Sequence, residues 1–142
     1  MLGIDYGARR IGLALSDATG TLASPWRLLE RPPSEAQTLN LVSEIVEQLK
    51  TGDDGLGAVV VGWPRRLDGS PTHQTAAAEA FARALETRAG LRVVLQDERL
   101  SSHEADQRLA AGGERDWRAR KKKVDAMAAA IILQDYLDYV PR

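Results

Sequence analysis

Cysteine is absent from all 142 residues, which rules out disulfides, thiolate zinc sites and cysteine nucleophiles. A chain of this length can bury a respectable core without such staples, and the lack suits a reducing compartment. Long apolar runs are missing too. Stretches such as residues 126–133 are far too short to span a bilayer. Met1-Leu2-Gly3-Ile4-Asp5 shows no basic-then-apolar signal peptide. A cytoplasmic protein with no membrane partner is the expectation. Repeats, low-complexity segments and linkers are lacking, so one domain over residues 1–142 is expected. Net charge is nearly lacking as well, at -1.

The charge is less even than its sum. Arg115, Arg118, Arg120, Lys121, Lys122 and Lys123 fall within nine residues, opposed there only by Asp116. Such a run is either a solvated helix face or an electrostatic footprint for a polyanion such as nucleic acid.

Hydrophobic periodicity orders the elements. Residues 2–6 form a short apolar run around Asp5, bounded by Gly7. In residues 11–15, large Ile11, Leu13 and Leu15 alternate with small Gly12 and Ala14. That period of two reads as strand, and the short gap between the segments predicts a hairpin. A turn at Ala18-Thr19-Gly20 leads to a third extended segment, roughly residues 21–29. After Pro32-Pro33 the period changes. Ser34 and Gln37 have capping-box spacing, and Leu39, Val42, Ile45, Val46 and Leu49 follow at helical intervals. The valine-rich run 58–61 reads as a strand buried on both faces. A loop over 62–70, an alanine-rich helix over 71–88 and a strand over 91–95 follow. Helices over 102–111 and 117–139 complete the chain. Strands separated by helices favour parallel pairing through right-handed crossovers. The expected fold class is α/β: a mixed five-stranded sheet, three antiparallel strands then two parallel, flanked by helices. That order is the ribonuclease-H-like topology.

Three acids stand out against this framework. Asp5 shares a strand face with Gly3 and Gly7, while Leu2, Ile4 and Tyr6 point the other way. A carboxylate inside an apolar strand is costly to bury unless paired or bound to metal. The flanking glycines leave room over it, and pairing with nearby Arg9 or Arg10 is the alternative. Glu98 follows the strand 91–95, where ligands of open α/β sheets gather, although an acid there also suits the dipole of a following helix. Asp125 lies near the start of the last helix among Ala126, Ala128, Ala129 and Ala130, a small face able to approach the sheet closely. Lys121 and Lys122, four and three residues earlier, could instead hold it in intrahelical salt bridges. Three carboxylates near one sheet edge suit Mg²⁺ or Mn²⁺. Such ions can activate water and stabilise the leaving oxygen in phosphodiester cleavage.

Four motifs, in order, resemble the YqgF/RuvX family, which is associated with Holliday junction resolution and pre-16S rRNA processing. They are Gly3-Ile4-Asp5-Tyr6-Gly7 continuing through Arg10, Gly12, Ala14, Ser16 and Asp17, and Val60-Val61-Gly62-Trp63-Pro64 with Asp68-Gly69-Ser70. The third is Asp97-Glu98-Arg99-Leu100-Ser101, and the fourth Lys121-Lys122-Lys123-Val124-Asp125 running into Ala128-Ala129 and Ile131-Ile132-Leu133. The resemblance implies a ribonuclease-H-like nuclease with Asp5, Glu98 and Asp125 as its acidic, metal-holding site. It leans toward end processing of pre-16S rRNA in ribosome biogenesis, with branched DNA as the rival substrate. Arg10, Arg65, Arg66, Arg99, Arg118, Lys121 and Lys122 are the expected nucleic-acid-binding residues. The chain departs from the pattern at Trp63-Pro64-Arg65-Arg66, where relatives tend to have Leu-Pro-Leu-Asn, and at Ser102, where threonine is usual. Trp63 could stack on a base or pack beneath the loop.

Two other readings are open. Asp-x-Gly before a hairpin also resembles the first phosphate loop of the actin and sugar-kinase superfamily, whose members need two such domains around a nucleotide. A nucleic-acid-binding module with an idle site is the other. Symmetric junction cutting calls for a homodimer, whereas strand trimming is possible for a monomer. His73 and His103 carry no pattern that assigns a role, and Trp26 and Trp117 read as packing residues.

Overall fold

The computed structural model describes residues 1–64, 68–97 and 117–139, with backbone alone for 117–122 and 125. The strands are β1 (Leu2–Tyr6), β2 (Arg10–Ser16), β3 (Ala23–Glu30), β4 (Ala58–Trp63) and β5 (Arg92–Asp97). The helices are α1 (Glu35–Thr51), α2 (His73–Ala89) and α3 (Trp117–Tyr139). The sheet runs β3-β2-β1-β4-β5, antiparallel across the first three strands and parallel across the last three. This is the expected mixed sheet. The helix expected over 102–111 lies outside the described residues.

Local chemistry explains where the elements begin. Ser34 caps α1 in a reciprocal capping box with Gln37, as its spacing predicts. The second helix starts at His73 rather than 71, because Thr72 takes the cap and pairs reciprocally with Thr75. It ends at Gly90, whose left-handed backbone (φ 66°) lets its N–H reach the Glu86 carbonyl. The third strand starts two residues later than its extended pattern, at Ala23. The Asp17 carboxylate accepts from the N–H groups of Thr21 (2.8 Å) and Leu22 (3.3 Å), drawing both into the turn. Conversely, β4 and β5 each run two residues beyond their apolar cores, since Gly62 pairs with Gln96 and Trp63 with Asp97.

Alternation divides the sheet into two covered faces. Leu2, Ile4, Tyr6, Ile11, Leu13, Val59 and Val61 pack against Val42, Ile45 and Val46 of α1 and Ala78, Phe81, Ala82 and Leu85 of α2. On the other face Ala14 and Val60 meet Ala129, Ala130, Ile132, Leu133, Tyr136 and Leu137 of α3, with Val94 packed alongside. The approach of α3 is close at Gly3. A Cβ there would stand 2.7 Å from Leu133 Cβ and 3.0 Å from the Ala129 carbonyl oxygen.

That contact generates a stability test. Gly3→Ala is expected to cost about 1–3 kcal/mol through overpacking, read as a lower denaturant midpoint. An unchanged midpoint would mean that α3 does not press on β1.

Candidate active site

Register locates Asp5 more closely than its own strand can. It pairs with Gly12 of β2. On the other side the parallel register ends with Gly3↔Val60 and Ile4↔Val61, after which Asp5 and Gly62 are the next residues of their strands. Gly62 is in turn paired with Gln96. A row Gly12–Asp5–Gly62–Gln96 therefore crosses the face that α3 covers. Both glycines are buried and Asp5 is half-buried. With no side chain on either neighbour, the carboxylate is the only group between β2 and β5 in its row that rises from the sheet.

The course of α3 brings a second acid-bearing segment to this row. Gln134 holds the Ala23 N–H (2.8 Å) and the Thr21 carbonyl (3.0 Å), which fixes the later part of the helix over the amino end of β1. Gly3 lies under Ala129 and Leu133, so α3 runs antiparallel to β1. From Ala129 back to position 125 the helix rises about 6 Å, and from Gly3 to Asp5 the strand rises about 6.7 Å. The two advances match, and the backbone at position 125 passes toward the row of Asp5. Eight residues further back, at Trp117, the helix is about 12 Å beyond it. Arg118, Lys121 and Lys122 belong to that projecting stretch.

Arg10 shares this face, since 10, 12 and 14 alternate along β2 and Ala14 packs under α3. Its Nε lies 3.9 Å from a Glu30 carboxylate oxygen, a long ion pair with Glu30 87% exposed at the side chain. Such a pair is worth little in water. Glu98, Arg65, Arg66 and Arg99 lie outside the described residues. Among those described, no three His, Asp or Glu side chains could hold a metal ion together; the Asp125 side chain and Glu98 are not among them.

Other residues are moved away from the site. Trp63 follows Val59 and Val61 onto the α1/α2 face, where it joins Pro71, Thr72 and Thr75 in lining a cleft. The packing role fits that position better than base stacking beside Asp5. Asp97, on the face of Val93 and Leu95, also points away from the Asp5 side. Trp26 packs against the α1/α2 core with the Arg27 guanidinium 4.1 Å over its ring. His73 is exposed at the start of α2. Asp17, although part of the first motif, sits at the far end of β2. Gln96, by contrast, joins the Asp5 row unannounced; only the extra length of β5 brings it there.

The order and pairing of the strands, with helices on both faces, define a ribonuclease-H-like fold. The chain belongs to the RuvX family: the family model, described as Holliday junction resolvase, matches residues 1–139. A protein of Maridesulfovibrio salexigens, provisionally named a pre-16S rRNA nuclease, is 42% identical over 137 residues, covering 96% of each chain. One of Lachnospira eligens with the same provisional name is 38% identical over 138 residues, covering 97% of this chain and 96% of its own. Among solved structures, Thermus thermophilus RuvC in complex with a Holliday junction substrate aligns with TM-score 0.50 and 18% identity. That alignment covers 96% of this chain and 91% of RuvC. A Thermus thermophilus ROK hexokinase aligns with TM-score 0.51 and 22% identity, but this chain covers only 39% of it. Both show the shared fold.

Asp17 offers a control for the site. Hydrogen bonds from the Thr21 and Leu22 backbone hold its carboxyl below the ordinary range. A depressed acid stabilises the fold above its unfolded pKa, about 3.9, and this contribution fades as pH falls through the folded value. Asp17→Asn should therefore melt lower than the parent at about pH 7. The gap should close toward about pH 2, with catalytic rates at neutral pH unchanged. A gap independent of pH would deny Asp17 this role.

Proposed function

We propose that this chain is a cytoplasmic, divalent-metal-dependent endonuclease that hydrolyses phosphodiester bonds at the ends of precursor 16S rRNA. The observation that carries the reading is the antiparallel docking of α3 on Gly3, which directs position 125 toward the glycine-flanked row of Asp5. The rRNA substrate is taken from the provisional names of relatives 38–42% identical over nearly the whole chain.

Asp5, Glu98 and Asp125 would hold Mg²⁺ or Mn²⁺, an all-oxygen donor set of the kind these hard ions take. The buried glycines beside Asp5 support the fit, since they leave room for a ligand or a helix close to its carboxylate. When bound, the ion supplies Lewis-acid activation of water and stabilisation of the leaving oxygen. The protein's own part is placement. Asp97 ends β5 turned to the α1/α2 face, and Glu98 follows it directly in sequence. Arg10, on the Asp5 side of β2, would add a charge-assisted contact to a phosphate oxygen. Arg118, Lys121 and Lys122 on the projecting start of α3, with Arg65, Arg66 and Arg99 after β4 and β5, would draw in the sugar-phosphate backbone.

Branched DNA is the second reading, favoured by the description of the family model. A carboxylate-metal site cuts either polymer, so the substrate must be read by groups outside it. Cleavage of a precursor 16S rRNA fragment and of a four-way DNA junction, each in Mg²⁺ and in Mn²⁺, separates the two; faster junction cutting would reverse the assignment. Asp5→Asn should abolish cleavage while RNA binding holds or tightens slightly, one repulsive charge being gone. Parent-like cleavage by this variant would sink the metal-site reading. Neutralising Lys121 and Lys122 together should weaken binding and reduce the slope of log affinity against log salt by about 1–2. An unchanged slope would return that run to a solvated helix face.

A further inference from the structure

The strand that carries Asp5 is held unevenly. Toward β2 its pairing continues to Tyr6↔Ile11, but toward β4 the last pair is Ile4↔Val61. Beyond Ile4 the chain turns tightly. The Gly7 N–H donates to the Asp5 carbonyl (3.1 Å), and a Cβ on Gly7 would stand 2.5 Å from the Arg10 carbonyl oxygen. Arg31, the residue after β3, reaches back across this turn. Its Nη1 donates to the Gly7 carbonyl (3.2 Å) and its Nη2 to the Tyr6 hydroxyl (2.8 Å). Its guanidinium lies 4.4 Å from the Tyr6 ring centroid, and its backbone N–H donates to the Arg9 carbonyl (2.9 Å). The Tyr6 ring itself stacks on Phe81, with centroids 4.3 Å apart.

We propose that Arg31 is a positioning residue for phosphodiester cleavage: it clamps Tyr6 and Gly7 and thereby fixes the Asp5 carboxylate relative to α3. The proposal rests on the reading of Asp5 as a metal ligand. Arg31 works from the α1/α2 face, where Tyr6 is buried, while Asp5 rises from the other, so the guanidinium acts through the backbone and not on substrate. Two independent donors and a ring contact define the place of residues 6 and 7 where the β4 pairing has ended.

Arg31→Met keeps the aliphatic stem and removes every donor. With all assays run below the melting transition of each variant, kcat on the precursor RNA should fall about 10²-fold, the scale of a misplaced catalytic group. Mn²⁺ binding by calorimetry should weaken about tenfold, as for lost outer contacts of a metal site. KM for the RNA should stay within about twofold. Arg31→Lys, which retains a charged donor for Gly7, should recover part of both losses, and Tyr6→Phe should show a smaller loss of the same kind. A raised KM with kcat and Mn²⁺ affinity unchanged would make Arg31 a phosphate contact and overturn the proposal. Parent-like kcat and Mn²⁺ affinity in Arg31→Met would leave only a fold role and overturn it equally. Asp5→Asn is measured alongside. If that variant binds Mn²⁺ and cleaves like the parent, the metal-site reading falls and this proposal with it; if it does not, a parent-like Arg31→Met removes the positioning role alone.

Discussion

The pressing of α3 onto the backbone of β1 at Gly3 is the constraint from which the carboxyl edge of the sheet takes its geometry. Ile132 and Leu133 are fully buried and Leu137 nearly so, each stabilising the docked helix by about 1.5–3 kcal/mol. Gln134 adds two hydrogen bonds that set the helix along its axis. The first half of the helix carries the basic run.

The same division explains why the site needs glycines. A helix over a sheet of ordinary side chains is kept off by them, and a short carboxylate on the strand would not meet anything carried by the helix. Gly3 lets the helix come close at one row, and Asp5 is paired with a glycine, Gly12, in the next. On the proposed reading the gathered acids repel one another when no cation is present, a cost tolerated because sites are commonly less stable than scaffolds. Arg31 then counters a mechanical weakness of that arrangement, the end of pairing between β1 and β4 after Ile4.

What was legible in the sequence follows the range of the forces involved. The capping box at Ser34 and Gln37 spans three residues and was readable directly. So was the face of Asp5, because a strand's period of two needs only its own residues. The ends of β4 and β5 were not, since Gly62, Gln96 and Asp97 are poor strand formers held in register by the neighbouring strand. Thr21 and Leu22 have the composition of a strand yet belong to a turn, for the sake of one carboxylate four and five residues back. The course of α3 toward the Asp5 row depends on docking across the whole sheet. The Arg31 clamp joins residues 24 and 25 apart in sequence. Neither leaves a local signature.

Topology also resolves the tension between a net charge of -1 and a polyanionic substrate. In a sheet where β1, β4 and β5 run parallel, their carboxyl ends share one edge. Arg65 and Arg66 follow the end of β4 in sequence, Arg99 follows β5, and Arg10 opens β2 beside the end of β1. The reversed course of α3 adds Arg118, Lys121 and Lys122 from the same direction. Acids such as Glu44, Glu47, Glu79 and Glu86 lie on α1 and α2 instead, across the sheet. Their charge cancels the sum but, with the low-dielectric core between, much less of the local field that a phosphate backbone would meet.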